Sequence, residues 1–284
     1  APARMVAMSD GLPYFLQDAR PAGFLGRAIP AAHADLGLPP RVQDWSDDHV
    51  LAFLTRRGSE NVGDLMLGTE ALDRYLSGGH GPPLVDEGER ATRYPQLADA
   101  AMSGAPAGSS AHGENPKFAA RVNGPRGVVS ILVKFSPPRG TAIGERWADL
   151  LVAEALASEF LDAHGIPSAR SRILEAGGRT FLESERFDRV GATGRRGVVT
   201  LHAVDAHLHG QLDRWAAAAG RLQRDGLLSA GDAARLALLE AFAELIGNTD
   251  RHFGNVSLFD DQETPFALAP VYDMLPMHYR PNES

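Results

Sequence analysis

The stretch that most constrains this chain is Gly247 to Asn255, G-N-T-D-R-H-F-G-N, followed one short hairpin later by Tyr272-Asp273. Asp250 and Asn255 stand in an Asp-x4-Asn spacing. That spacing puts on one loop a carboxylate that can orient a hydroxyl and an amide oxygen that can hold Mg²⁺. A cation bridging two phosphates also needs oxygen from a second segment, and Asp273 stands where that ligand is required. Between them, Val256-Ser257-Leu258-Phe259, a polar turn at Asp260-Asp261-Gln262 and Phe266-Ala267-Leu268 predict a β-hairpin. Alone the spacing is weak, because acids and amides are common in turns and Asp250 could simply cap a backbone amide. Its weight comes from its setting. A strongly apolar helix over Ala230 to Ile246, opened by Ser229-x-x-Asp232 and carrying Leu236, Leu239, Ala243 and Ile246 on one face, delivers Gly247 and the loop.

The other parts of a phosphate-transfer site stand upstream in workable order. Ser103 to Gly113 is rich in small residues whose backbone can wrap phosphates, although Gly-rich loops are more often connectors. Lys117 to Val122, a turn at Asn123-Gly124-Pro125-Arg126-Gly127 and Val128 to Phe135 then predict a hairpin. Loop, strand, turn and a strand ending in Lys134 is the order in which a protein-kinase N-lobe covers ATP and supplies a phosphate-binding lysine. Of the 28 basic residues only Lys117 and Lys134 are lysines. In so arginine-biased a chain the exceptions mark places where a compact ammonium serves better than a planar guanidinium. Glu145 to His164 predicts a helix capped by Gly165. Glu154 or Glu145 is the candidate partner for the strand lysine, with surface solvation the leading expectation for each. Ser168 to Ala176 and Arg179 to Glu185 predict a second hairpin, leading into Glu185-Arg186-Phe187-Asp188-Arg189.

N-T-D-R-H-F-G-N followed by L-A-P-V-Y-D-M-L resembles the HipA family of serine/threonine kinases, toxins of bacterial toxin-antitoxin modules. S-A-H-G-E-N-P-K is similar to that family's nucleotide loop, I-L-V-K-F to the strand of its ATP-phosphate lysine, and E-R-F-D-R to its hinge. The likeness covers roughly Ser103 to Met277. It implies an α+β, bilobal protein-kinase-like fold with a β-rich N-lobe and a helical C-lobe. Residues 1–190 would form the N-lobe, with 1–95 a mixed subdomain and 96–190 the nucleotide-binding part, and 191–284 the C-lobe. The resemblance implies ATP and Mg²⁺ as cofactors, Asp250 as the catalytic residue, and Asn255 and Asp273 as metal ligands. Lys134, Ser110, Gly113, Glu185, Phe187 and His252 become the candidate nucleotide contacts, with backbone near Glu185 and Phe187 meeting adenine. Ser110, with Ser109 as the neighbouring alternative, matches a serine whose autophosphorylation expels the loop; a dianionic phosphate there would be repelled by the phosphates beneath it. Relatives phosphorylate translation proteins, notably aminoacyl-tRNA synthetases, and bind a helix-turn-helix antitoxin. A protein substrate of that kind and such an antitoxin are therefore the expected partners. Three departures stand out. Gly254 occupies a place where many relatives carry Lys, leaving phosphate neutralisation weaker or assigned to Arg251. Pro116-Lys117-Phe118 suits the YjjJ-type subgroup. The missing initiator Met, and an end at Asn282-Glu283-Ser284 where relatives continue with further helices, lead to the expectation of a C-terminally truncated chain.

Composition bounds the alternatives. The chain has 284 residues, enough for two lobes, and a net charge of −8, which argues against general or sequence-specific nucleic-acid binding. The absence of cysteine rules out disulfides, zinc-thiolate sites and a thiol nucleophile, and fits a cytoplasmic setting. No apolar run approaches the roughly 18 residues of a membrane span. Residues 1 to about 76 predict helices from Asp47, behind Ser46 as N-cap, and at Thr69 to Leu76, with a strand over Asn61 to Leu67 and no recognisable chemistry. Gly23-Phe24-Leu25-Gly26-Arg27 weakly resembles an amino-terminal segment of the HipA-like proteins. Ser77 to Arg93 reads as a linker, Tyr94 to Met102 as a short helix and Leu212 to Arg224 as another. His202, Asp205, His207 and His209 read as a loop near the substrate groove rather than a metal site. Two rival functions remain: a metal-dependent phosphohydrolase or nuclease using Asp250, His252 and Asp273, and an inactive nucleotide-binding partner that acts with an antitoxin as co-repressor.

Overall fold

The computed structural model describes residues 11–78, 81–104, 115–261 and 264–281. Ser109, Ser110 and Gly113 lie outside the described residues. Three short helices, α1 (Tyr14–Gln17), α2 (Gly23–Arg27) and α3 (Ile29–Ala32), precede α4 (Asp47–Arg57) and α5 (Thr69–Leu76). Ser46 caps α4 by accepting from His49 N, as the N-cap signal predicts.

The sheet of the N-lobe has the order β1-β2-β3-β5-β4, from β1 (Leu84–Asp86), β2 (Lys117–Gly124), β3 (Gly127–Phe135), β4 (Ser171–Ala176) and β5 (Arg179–Glu185). Both expected hairpins are present, and β1 alone pairs in parallel. The pleat divides the strands into two faces. Phe118, Ala120, Val122, Ile131, Val133, Phe135 and Phe181 pack with Tyr94 and Ala98 of α6 (Arg90–Met102) on one side. The other side carries Lys117 and Lys134, directly opposed across β2 and β3, and meets α7 (Ala142–Ala163).

Ser77 to Arg93 is therefore not simply a linker. It contains β1, and α6 starts at Arg90 and runs through Pro95. Tertiary anchoring outweighs local preference here: Arg90 Nη1 and Tyr94 OH both donate to the buried Glu183 of β5, at 3.0 and 2.6 Å. Nor is Asn61 to Leu67 a strand. Its polar backbone is captured by side chains, with Gly63 N donating to Asp188 Oδ2 at 3.0 Å and Asn61 O accepting from Arg189 Nη2 at 2.6 Å.

After β6 (Arg189–Val190) and β7 (Gly194–Arg195), the C-lobe is built from β8 (Val198–Thr200), α8 (Leu201–Leu208), α9 (Trp215–Arg224), α10 (Ala230–Leu245), β9 (Ser257–Phe259) and β10 (Ala267–Leu268). Strands β9 and β10 form the predicted hairpin, with β8 on the far side of β9. Ser229 caps α10 by accepting from Asp232 N at 3.0 Å. The His202 to His209 stretch is not a loop but mostly helix α8. Its Asp205 is fully buried, accepting from Arg221 Nη2 at 2.7 Å and Leu212 N at 2.9 Å. The N-terminal region is bound to this lobe: Asp18 accepts from Thr200 N and Oγ1 at 2.6 and 2.7 Å, and Tyr14 stacks on His207. No helix of the described residues is long and apolar enough to cross a membrane.

Candidate active site

Two connected cavities lie between the lobes. The larger, about 1150 Å³, has Lys117, Lys134, Trp147, Asp250, His252, Asn255 and Asp273 in its walls. The smaller, about 190 Å³, shares Lys117, Lys134, His252, Asn255 and Asp273 and extends to Leu132, Glu185, Arg186, Phe187 and Tyr272. Asp250, Lys134, Glu185, Phe187, His252, Asn255 and Asp273 each line one or both.

At the centre is Lys134, 5% exposed. Its Nζ donates to Glu154 Oε1 and Oε2 at 2.6 and 2.8 Å, and also to Asp273 Oδ1. Burial works against the ammonium, but the facing carboxylates of Asp273 and Glu154 outweigh it and hold the pKa above the usual lysine value. Burial likewise works against the Asp273 carboxylate, yet Lys134 and Lys117 bring its pKa below the usual range. Glu154, on α7, is itself 3% exposed, so the expectation of surface solvation is wrong for this residue. For Glu145 it is right: that residue is half-exposed and pairs with Arg139. The lysine bridges the lobes, since Glu154 and the strand belong to one and Asp273 to the other.

The loop carrying Asp250 is positioned by the end of α10. Gly247, at φ 74°, donates to Glu244 O and Asn248 donates to Ala243 O at 2.8 Å, the paired bonds of a Schellman cap. Asn248 is fully buried and links three segments. Its Oδ1 accepts from Asp250 N at 2.9 Å, its Nδ2 donates to Asp273 O at 3.4 Å, and its O accepts from Arg251 Nη1 at 2.6 Å. Sequence reasoning missed this residue; its place directly after a capping glycine was the only signal. Arg251 is turned into that brace and toward Glu244, and lines neither cavity. It therefore does not replace the lysine missing at Gly254. Lys117, opposite Lys134, is the other lysine in the cleft, and Arg27 and Arg280 also line the larger cavity. A Cβ at Gly254 would meet His252 Nδ1 at 2.9 Å, which itself accepts from Gly254 N at 3.1 Å. The folded-back imidazole explains why a small residue stands there.

Asn255 donates through Nδ2 to Asp250 O at 2.8 Å, which turns its carbonyl oxygen to the cleft as the atom left for a ligand. Asp273 adopts the left-handed conformation, φ 53°, uncommon outside glycine and frequent where a side chain must be aimed at a site. Preceding it, Tyr272 OH donates to Gly254 O at 2.7 Å and contacts Ser257 Oγ at 2.7 Å, joining the two loops. One carboxylate and one amide carbonyl, from different segments, form a hard-oxygen set suited to Mg²⁺ bound through phosphates. By contrast, no group of three or more His, Cys, Asp or Glu side chains among the described residues is arranged to hold a metal ion.

The hinge is more committed than its motif suggests. The amide of Glu185 donates to Arg170 O at 2.8 Å and that of Arg186 to Ser130 O at 2.9 Å. Asp188 is buried and receives Arg186 Nη2 and Arg189 Nη1, each at 2.7 Å. Burial disfavours its charge, but the two guanidinium groups hold the carboxyl well below the usual range. E-R-F-D-R is therefore a structural knot, in which Phe187 packs edge-on to Phe259 and tilted against Tyr272.

The family described as "HipA-like C-terminal domain" matches residues 109–284, and that described as "YjjJ-like toxin, middle domain" matches residues 2–76. Over 277 residues the chain is 41% identical to Toxin YjjJ of Escherichia coli (strain K12), covering 97% of this chain and 62% of that protein. It thus spans less than two thirds of the curated relative's length. Among solved structures, the Shewanella oneidensis MR-1 toxin-antitoxin complex of HipA, HipB and operator DNA aligns over 95% of this chain and 66% of the matched chain. The TM-score is 0.56 at 15% identity. The Helicobacter pylori proinflammatory kinase CtkA aligns over 57% of this chain and 54% of its own, at TM-score 0.41 and 14% identity.

Proposed function

Since the chain belongs to the HipA-like toxin family, we propose that it is a serine/threonine kinase that transfers the γ-phosphoryl group of Mg-ATP to a hydroxyl of a protein. The observation that carries the reading is the buried bridge from Lys134 to Glu154 on one lobe and Asp273 on the other, facing the braced loop of Asp250 and Asn255. A lysine held by a helix glutamate beside a metal-binding aspartate is the arrangement that phosphoryl transfer requires. Adenine sits in the smaller cavity against Leu132, Phe187 and Tyr272, and the phosphates extend toward Lys117 and Lys134. Asn255 and Asp273 would hold Mg²⁺, which would supply positive charge to neutralise the phosphates. Asp250 is half-exposed, as a residue must be that meets a macromolecular hydroxyl. It orients that hydroxyl and accepts its proton. The oxygen–phosphorus bond to the acceptor forms while the bond to the ADP oxygen breaks, and ADP leaves. The family also suggests a translation component as substrate, a helix-turn-helix antitoxin as partner, a cytoplasmic setting, and self-inhibition through phosphorylation of Ser110 or Ser109. The lobe division near residue 190 belongs to the same reading.

The test is the intact and peptide mass after incubation with Mg-ATP, for the native chain and for Asp250→Asn. One added phosphate on Ser110 or Ser109 in the native chain alone is expected. Equal masses in both, with ATP binding verified by a thermal shift, would overturn the kinase assignment in favour of an inactive nucleotide-binding partner. Phosphate release from ATP that persists in Lys134→Ala would instead point to a hydrolase.

A further inference from the structure

A third cavity, of about 70 Å³, lies beyond the hinge on the cleft-facing side of the sheet. Along β2, Arg121 follows Lys117 by four residues, about 13 Å at strand rise, so this cavity is separate from the phosphate end of the cleft. Five arginines line it, Arg74, Arg121, Arg186, Arg189 and Arg195, against one lining carboxylate, Glu60. Asp188 adjoins it through its pairs with Arg186 and Arg189.

The arginines are built in rather than waving in solvent. Arg195 has a side chain only 5% exposed. It donates to Ser59 O and lies 4.9 Å over the ring of Tyr75, whose hydroxyl donates to Thr193 O. Its Nε has no hydrogen-bond partner among the described residues, and neither does the buried Nε of Arg74. Glu60 approaches Arg195 only at 3.9 Å. Buried cationic donors without acceptors are costly, and here cation crowds cation: burial, then repulsion from Arg186, pushes the pKa of Arg189 down to about 9. Five guanidinium groups thus stand against two carboxylates, with the Nε donors of Arg74 and Arg195 unspent among the described residues.

We propose that this cavity is a binding site for a phosphoryl-type oxyanion, taken by Arg74, Arg121 and Arg195 and distinct from the nucleotide cleft. Its volume, about 70 Å³, has room for one such group. Guanidinium forks match the oxygens of a phosphoryl group in geometry and charge. The same chemistry is presented by free phosphate and by a phosphorylated serine.

The experiment is calorimetric titration of the whole chain with inorganic phosphate, O-phospho-L-serine and acetate at matched ionic strength. The variants are Arg74→Gln, Arg195→Lys and, as a control for the cleft, Lys134→Ala. Arg74 is only half-buried, so its variant keeps the test open if Arg195→Lys fails to fold. Phosphate should bind the native chain, and Arg74→Gln should weaken it at least about tenfold, the worth of one charge-assisted hydrogen bond. Lys134→Ala should bind as the native chain does. Tighter phosphoserine binding identifies a phosphorylated side chain as the ligand, and equal binding identifies free phosphate. The proposal fails if phosphate binds no better than acetate, or if Lys134→Ala abolishes binding while Arg74→Gln leaves it intact.

Discussion

Replacing Glu154 with glutamine tests the centre of the site with the smallest change of shape. The side chain is 3% exposed, and both its oxygens accept from Lys134. Glutamine keeps one carbonyl acceptor but removes the charge and turns an NH2 donor toward an ammonium. Removing one member of a buried pair costs about 3–5 kcal/mol. Because Asp273 still faces Lys134, the lower end applies, about 3 kcal/mol. At the roughly 2–4 °C per kcal/mol of larger domains, Tm should fall by about 6–12 °C. The pH dependence follows from the raised pKa of Lys134. Stability from a raised lysine is fully present below its unfolded value, near 10.4, and is lost as pH rises through the folded value. The gap in Tm between native chain and variant should therefore be constant from neutral pH to about 10 and shrink above it. In the proposed reaction, loss of the lysine's orientation should lower phosphate transfer by about 10²–10³-fold. Melting curves at pH 7 and above pH 10.5, with the mass assay, measure all three effects. A variant melting within about 2 °C of the native chain would refute the pairing in solution. A gap that persists undiminished far into the alkaline range would show that it comes from packing rather than charge.

Two further substitutions probe the supports of the site. Asn248→Ala leaves the Asp250 amide without its acceptor, at a cost of about 1–3 kcal/mol; transfer should fall at least about tenfold with KM for ATP unchanged, and a raised KM with unchanged kcat would contradict the positioning role. Asp18→Ala removes both acceptors from Thr200. Amide hydrogen exchange should then rise at the start of α8 and in α1 but not in β2 and β3, and a uniform rise would mean that the contact holds the whole fold rather than one junction.

What could be read from the sequence followed from how local each signal was. The loop of Asp250 and Asn255, its hairpin, and the caps at Ser46 and Ser229 depend on residues within a few positions of one another, and they appear where expected. The Asn61 to Leu67 segment depends on partners more than a hundred residues away, Asp188 and Arg189, which take the backbone groups a strand would have used. The linker assigned to Ser77 to Arg93 failed for the same reason: three residues become a strand only because β2 offers an edge, and α6 begins early only because Glu183 anchors it.

Glu154 shows where local signals stop. Its helix carries Ala and Leu around much of its circumference, so the residue's position does not reveal which side faces the sheet. Lys134 does reveal it, once the pleat places the lysine on the face opposite the aromatic core. The arginine bias of the chain adds an independent constraint. Both lysines stand opposite each other in the cleft, whereas Arg186 and Arg189 pair with Asp188 in the knot and join Arg74, Arg121 and Arg195 around the cavity beyond it. A compact ammonium can sit between two carboxylates and pass to a phosphate, while a planar, many-donor guanidinium binds several backbone and carboxylate oxygens at once. The unsatisfied Nε donors of Arg74 and Arg195 belong to the cavity around Arg121, about 13 Å along β2 from Lys117, and so point to a second anion rather than to the nucleotide's phosphates.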